Sequence, residues 1–218
     1  MNDRTVVHVM RHGEVHNPDG ILYERLPGFR LSANGLAMAE AVAESFAEVP
    51  LTHLRTSPLQ RAVETITPFA ASRPELEVVT DERLIEAGNR FVGQVFGKHH
   101  AALKKPRNWP MMLNPFKPSW GEPFVDIAAR MQAALVDAAR AAGPGGQALV
   151  VSHQSPIWTV RRALEGKRPA HLPGTRSCAL ASITSFCFEG ERCVDITYSE
   201  PAAHLFGTDA NAAFSSGD

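Results

Sequence analysis

The stretch Val6-Val7-His8-Val9-Met10-Arg11-His12-Gly13-Glu14 decides how this chain reads. Val6 to Met10 is a short apolar run with β-branched residues, the composition of a strand buried inside a sheet. The polar Arg11-His12-Gly13-Glu14 follows at once, so the strand ends in a loop suited to chemistry. An echo comes later, where Ala148 to Val151 reads as a strand buried on both faces and Ser152-His153-Gln154 follows it. In an open α/β sheet, ligands bind outside the carboxyl ends of the strands. One sheet edge is therefore expected to present both His12 and His153.

Between these strands the periodicity turns helical. Ser32 is expected to cap a helix in which Leu36, Ala39, Ala43 and Phe46 recur at helical spacing, with Glu40, Glu44 and Glu48 opposite. A short strand is expected over Thr52–Arg55. Ser57-Pro58 then supplies an N-cap and a proline at the first helical position of a helix to about Ala71. Glu77–Thr80 reads as another strand. Gly121–Ala142 reads as a long helix with Phe124, Ile127, Ala128, Met131, Leu135 and Ala138 on one stripe, ended by Gly143-Pro144-Gly145-Gly146. Ser155-Pro156 repeats the helix-start signal, and Cys178–Phe188 and Arg192–Tyr198 read as strands joined through Glu189-Gly190-Glu191. Such alternation predicts an α/β sandwich with a largely parallel sheet. Residues 1–206 read as a single domain, without internal repeat or linker, and 207–218 as a small, polar, disordered tail. Residues 98–118 stand apart: five Lys and Arg, four prolines and no carboxylate predict an irregular basic flap, either a substrate lid or a solvated loop.

Bulk composition narrows the function. With 22 Lys and Arg against 23 Asp and Glu, the chain lacks the positive surplus of a nucleic-acid or membrane-surface binder. Three cysteines without a C-x-x-C spacing indicate neither a disulfide framework nor a zinc knuckle, and free thiols fit a cytoplasmic location. The N-terminus does not read as a signal peptide, and no apolar run has the length of a membrane span. His99-His100 lacks the neighbours of a metal ligand set, and Ser152 lacks the G-x-S-x-G elbow of a hydrolase nucleophile. His8, His53, His171 and His204 default to structural or surface roles, and Trp158 is expected to pack into the core.

The residues near the two histidines point to phosphate. Arg11 adjoins His12, and guanidinium is the side chain best matched to phosphate oxygens. Arg61 lies in the first turns of its helix, where side chains lean back toward the helix N-terminus and so toward the same edge. The helix opening near Ser155-Pro156 turns free backbone N–H groups toward an anion. Neutral imidazole is a competent nucleophile near pH 7. Two permanent cations, a helix N-terminus and an attacking histidine are the parts that phosphoryl transfer needs.

Four ordered segments make a family resemblance specific. Arg11-His12-Gly13-Glu14 resembles the RHG signature of the histidine phosphatase superfamily, which has the phosphoglycerate mutase-like fold. Ser57-Pro58-Leu59-Gln60-Arg61-Ala62 resembles its S-P-L-x-R-A helix start, Leu84-Ile85-Glu86 its acid-bearing loop, and Val151-Ser152-His153 the strand end with its second histidine. The resemblance implies a three-layer α/β/α sandwich with a mostly parallel central sheet, and neither metal nor cofactor. It makes His12 the nucleophile that forms a phosphohistidine, with Arg11, Arg61 and His153 around the phosphoryl oxygens. Glu86 becomes the general acid and then the base, a role that calls for a raised carboxyl pKa. Gly13 is expected to leave room beside the phosphate and to allow a turn that other residues resist.

Two positions depart from the family pattern. Asn17 follows the nucleophile by five residues where the family commonly has a phosphate-binding asparagine at six, so it is a substrate-binding candidate or a turn residue before Pro18. Gln154 stands where many relatives have glycine; its backbone N–H serves phosphate, or its side chain touches substrate. Asp81 and Glu82 compete with Glu86 for the acid's role, and Leu84, Gly88 and Gly93 favour Glu86. The expected activity is a metal-independent phosphomonoesterase acting on a small phosphorylated metabolite. The alternatives are a cofactor-dependent phosphoglycerate mutase, which usually carries longer lid segments, and a non-catalytic phospho-ligand module. No nucleic-acid or membrane partner is expected, and the oligomeric state, a homodimer included, stays open.

Overall fold

The computed structural model describes residues 4–88, 92–93, 121–171 and 173–207. Among them, strands β1 (Arg4–Arg11), β2 (Leu51–Thr56), β3 (Val78–Thr80), β4 (Gln147–Ser152), β5 (Ile183–Glu189) and β6 (Arg192–Ser199) form one sheet in the order β3-β2-β4-β1-β5-β6. The pairs from β3 to β1 are parallel, whereas β5 and β6 add antiparallel partners beside β1. Helices α1 (Ala33–Ser45) and α2 (Gln60–Ala71) cover one face; α3 (Phe124–Ala142) and α4 (Gln154–Leu164) cover the other. These are the three layers expected.

Strand periodicity sorts the core. Val7 and Val9 of β1 and Ala148 and Val150 of β4 meet Ile127, Met131 and Leu135 of α3. Met10, Leu149 and Val151 point the other way, onto Met38, Val42, Ile66 and Phe69. β4 buries every residue from Ala148 to Ser152, the signature of a strand covered on both faces, whereas β1 alternates buried and half-buried positions until Val9, Met10 and Arg11, which are all buried.

Several boundaries differ from the expectations, each for a reason in the tertiary structure. α1 buries Gly35, Met38, Ala39 and Val42, while Leu36 is 47% exposed. Its first turn lies directly on the loop after β1, and that contact sets which side faces inward. α2 begins at Gln60 after a Leu59 cap, and α4 at Gln154 after His153. The two Ser-Pro pairs mark the helix starts to within a few residues, but Ser57 accepts only a long 3.4 Å contact from Leu59 N–H and instead joins a histidine. β5 starts at Ile183 rather than Cys178, because residues 178–182 use backbone groups on the end of β1: Arg11 N–H donates to Ser182 O at 3.0 Å and Ala181 N–H to His12 O at 3.3 Å. The predicted flap at 98–118, with His99-His100, and the tail from 208 lie outside the described residues.

Backbone-to-backbone packing explains two glycines. A Cβ on Gly13 would sit 2.5 Å from Gly35 O, and one on Gly35 would sit 2.0 Å from Glu14 O. Neither has positive φ, so close approach of α1, not an unusual turn, demands glycine at position 13. Glu14 completes the joint, accepting from Ser32 Oγ at 2.5 Å and Asn34 Nδ2 at 3.0 Å. Gly35→Ala gains about 1 kcal/mol of helix propensity, yet the forced separation is expected to cost about 2 kcal/mol or more net. Melting should fall by roughly 4–8 °C; a rise in thermal melting would show that the joint is loose.

Candidate active site

Parallel pairing of β1 with β4 places Arg11 opposite Ser152, so the residues after them, His12 and His153, leave the sheet side by side. Their rings lie 5.1 Å apart, and both side chains are buried. β2 ends beside them, with Ser57 N–H on Val151 O at 3.0 Å, and leads into α2, whose first turn carries Arg61. Three strand ends thus bring Arg11, His12, Arg61 and His153 together in a space almost closed to solvent.

Hydrogen bonds set the imidazole tautomers. His12 Nδ1 lies 2.8 Å from Gly13 O, a group that only accepts, so Nδ1 carries the proton and Nε2 keeps its lone pair. Burial holds His12 well below the usual imidazole range, and Arg61 and Arg11 push it the same way. His12 is therefore a neutral imidazole with a free Nε2 at pH 7. His153 has the opposite tautomer: Arg61 Nη2 donates to its Nδ1 at 3.2 Å, and its Nε2–H donates to Ser57 Oγ at 2.7 Å. Burial lowers its pKa too, and the charges of Arg61 and Arg11 push it the same way.

Both arginines keep unused donors. Arg11 Nη1 donates to Cys178 O at 2.7 Å, whereas its Nε and Nη2 are buried without a partner among the described residues. Arg61 Nη2 reaches Glu24 O at 2.5 Å, its guanidinium stacks 4.8 Å over the Tyr23 ring, and its Nε has no partner. Each buried unsatisfied polar group ordinarily costs about 1–3 kcal/mol, more when charged. Two guanidiniums with vacant donors, beside the N-terminus of α4, form a receptor for a compact anion.

Three carboxylates near the expected acid position have separate environments. Asp81 accepts from Arg83 and Arg55, and despite desolvation these bonds draw its pKa down to about 2. Glu82 is exposed. Glu86 is partly buried, and burial raises its pKa although Ala87 N–H, Arg176, Arg61 and Arg11 oppose the shift. Of the three, Glu86 alone combines a raised pKa with electrostatic contact to both site arginines.

The remaining candidates divide. Gln154 is buried in the first turn of α4, with Nε2 3.5 Å from Cys178 O. Asn17 closes a turn, its amide donating to Ile21 O at 2.9 Å and accepting from Ile21 N–H at 3.0 Å. Ser152 Oγ donates to Leu84 O at 2.7 Å and so ties β4 to the loop that carries Glu86. Trp158 is half-buried, with Arg161 stacked 5.4 Å over it and His171 edge-on, rather than in the core as expected. Residues that the sequence reading did not place among the site's contacts also appear: Ser57, expected only as a helix cap, as the partner of His153, Thr65 Oγ1 accepting Gly13 N–H at 3.2 Å, Tyr23 on Arg61, and Arg176 beside Glu86. The Ser-Pro motif could have revealed Ser57. No local sequence pattern marks Arg176.

Comparison with known proteins agrees with this geometry. The chain is 56% identical over 203 residues to an uncharacterized protein of Mycobacterium tuberculosis, covering 93% of this chain and all of that one. A probable phosphoglycerate mutase of Proteus mirabilis is 30% identical over 152 residues, covering 67% of this chain and 68% of that protein. Among solved structures, a mycobacterial glucosyl-3-phosphoglycerate phosphatase superposes with TM-score 0.72 at 22% identity, over 90% of this chain and 98% of its own. A phosphoserine phosphatase of Entamoeba histolytica gives TM-score 0.73 at 22% identity, over 91% and 99%. Residues 7–199, which hold the paired histidines, both arginines and Glu86, match the profile of the histidine phosphatase superfamily, branch 1, and the chain belongs to that family.

Proposed function

We propose that this protein is a metal-independent phosphomonoesterase that hydrolyses a small phosphorylated metabolite through a phosphohistidine on His12. The observation that carries the proposal is the pair of buried guanidiniums with three unpartnered nitrogens around a neutral, correctly protonated imidazole. A phosphoryl group entering there receives charge stabilisation from Arg11, Arg61 and the N-terminus of α4, the groups on which phosphoryl transfer chiefly depends. His12 Nε2 attacks phosphorus, the bond to the ester oxygen breaks, and Glu86 gives its proton to the departing alkoxide. Water then attacks the phosphohistidine while Glu86 takes back a proton, releasing inorganic phosphate and free His12. His153 and Ser57 line the phosphoryl site, and Gln154 offers its backbone N–H.

Glucosyl-3-phosphoglycerate and phosphoserine, for which the two structural neighbours are named, are substrates of the expected size and charge. The likeness to a probable phosphoglycerate mutase keeps isomerisation as a second reading, since a mutase needs the same phosphohistidine but must guard it from water. A panel of phosphorylated metabolites assayed in EDTA for phosphate release, with 3-phosphoglycerate and a bisphosphorylated primer assayed for isomerisation, separates them. Release of phosphate without isomerisation is expected; isomerisation without release would make the protein a mutase, and no reaction at all would favour a binding module.

A further inference from the structure

Four backbone carbonyls of the loop that carries Glu86 are each held by a different part of the chain. Arg130 Nη1 of α3 donates to Arg83 O at 2.5 Å, and Ser152 Oγ at the end of β4 to Leu84 O at 2.7 Å. Arg25 Nε, from the loop after β1, donates to Glu86 O at 2.6 Å, and Glu122 N–H to Gly88 O at 3.0 Å. Two of these donors are long, flexible arginines, and one carboxylate organises both. Glu122 Oε2 accepts from Arg25 Nη2 at 2.8 Å and Arg130 Nη2 at 3.1 Å, while Oε1 accepts from Arg130 Nε at 2.7 Å.

We propose that Glu122 is a positioning residue for the acid: its carboxylate locks Arg25 and Arg130 into one clamp that fixes the Glu86 backbone relative to the phosphate site. The inference rests on the reading of Glu86 as proton donor. Chain connectivity gives the clamp its reach, because the residue before Arg25, Glu24, accepts from the phosphate-site Arg61 through its own carbonyl. Adjacent residues, Glu24 through its carbonyl and Arg25 through its guanidinium, thus hold Arg61 and Glu86 at a set separation. The side chain of Glu122 is one-fifth exposed and that of Arg130 less, so the pair is partly shielded from water, although Arg25 is more open. Charges that face the Glu86 carboxyl are Arg11 on β1, Arg61 on α2 and Arg176 before β5, together with the Ala87 N–H. Arg25 touches Glu86 through the backbone carbonyl and not through the carboxyl, so loss of the clamp alters the acid mainly through its position. Displacement of about 1 Å is enough to cost a large factor in a proton-transfer step.

Glu122→Gln keeps the shape and removes the charge that holds two guanidiniums. In the full chain, the Glu86 carboxyl titration followed by ¹³C NMR is expected to move by about half a pH unit or more relative to wild type. Turnover of glycerol 2-phosphate should fall about 10-fold while that of 4-nitrophenyl phosphate stays within about twofold, since only the alkoxide needs a proton. Arg25→Lys, which cannot bridge Glu86 O and Glu122 at once, should reproduce the selective loss. An unmoved titration, equal losses for both esters, or full activity of Arg25→Lys would overturn the clamp. Wild-type protein inert toward both esters would remove the phosphatase reading, and the titration would still decide the clamp.

Discussion

His12→Ala is expected to lose phosphate-ester hydrolysis by about 10⁴-fold or more, because the proposed mechanism runs through a covalent intermediate on His12 and a missing nucleophile is not replaced by its neighbours. On the proposed mechanism the attacking atom is Nε2. Gly13 O occupies Nδ1–H, and burial beside Arg11 and Arg61 keeps the ring unprotonated, so Nε2 is the atom left to attack. Rapid alkali quenching of wild type during turnover should trap a phosphoryl group that survives base and is lost on later acidification, and the variant should trap none. Both guanidiniums remain in the variant, so inorganic phosphate should still bind in calorimetry. Unchanged turnover in His12→Ala would move the nucleophile elsewhere; loss of phosphate binding together with lowered melting would mean the pocket had collapsed instead.

Glu86→Gln is expected to discriminate between esters. A nitrophenolate departs without help, whereas an alkoxide must be protonated as the P–O bond breaks, a contribution of about 10²–10⁴-fold. The variant should therefore keep most nitrophenyl phosphate turnover and lose most alkyl phosphate turnover. The pH profile follows from the same groups. The acid must be protonated, and burial raises the Glu86 pKa, so alkyl-ester kcat/KM should fall as pH rises through a value above the usual carboxylate range. His12 must be neutral, and its lowered pKa puts the opposing acid limb below the usual imidazole range. Equal loss for both esters would point to another acid. Asp81 is a poor alternative, since Arg83 and Arg55 hold it ionised to about 2.

Much of this was legible along the chain. Buried parallel strands read as apolar runs, and the polar residues after Met10 and Val151 flagged two strand ends facing one edge. Other features were not. Leu36 fitted the helical stripe but faces solvent, because the Gly13–Gly35 contact, remote in periodicity, rotates α1. Ser57 read as a helix cap, yet its hydroxyl accepts from His153, ninety-six positions away. Cys178 read as a strand residue, yet its carbonyl is the partner of Arg11. Such bonds join residues with no fixed spacing, so no local pattern encodes them.

The order of residues was sufficient to place His12, Arg61, Glu86 and His153 in motifs after strands, since periodicity and short motifs are local properties. Their chemical states came from the folded sheet. Which imidazole nitrogen is free, why Asp81 is spent and Glu86 is not, and which arginine nitrogens stay vacant all depend on burial and on partners 1 to 167 positions distant. Desolvation and hydrogen bonding act through space, and only the packed protein brings those groups together.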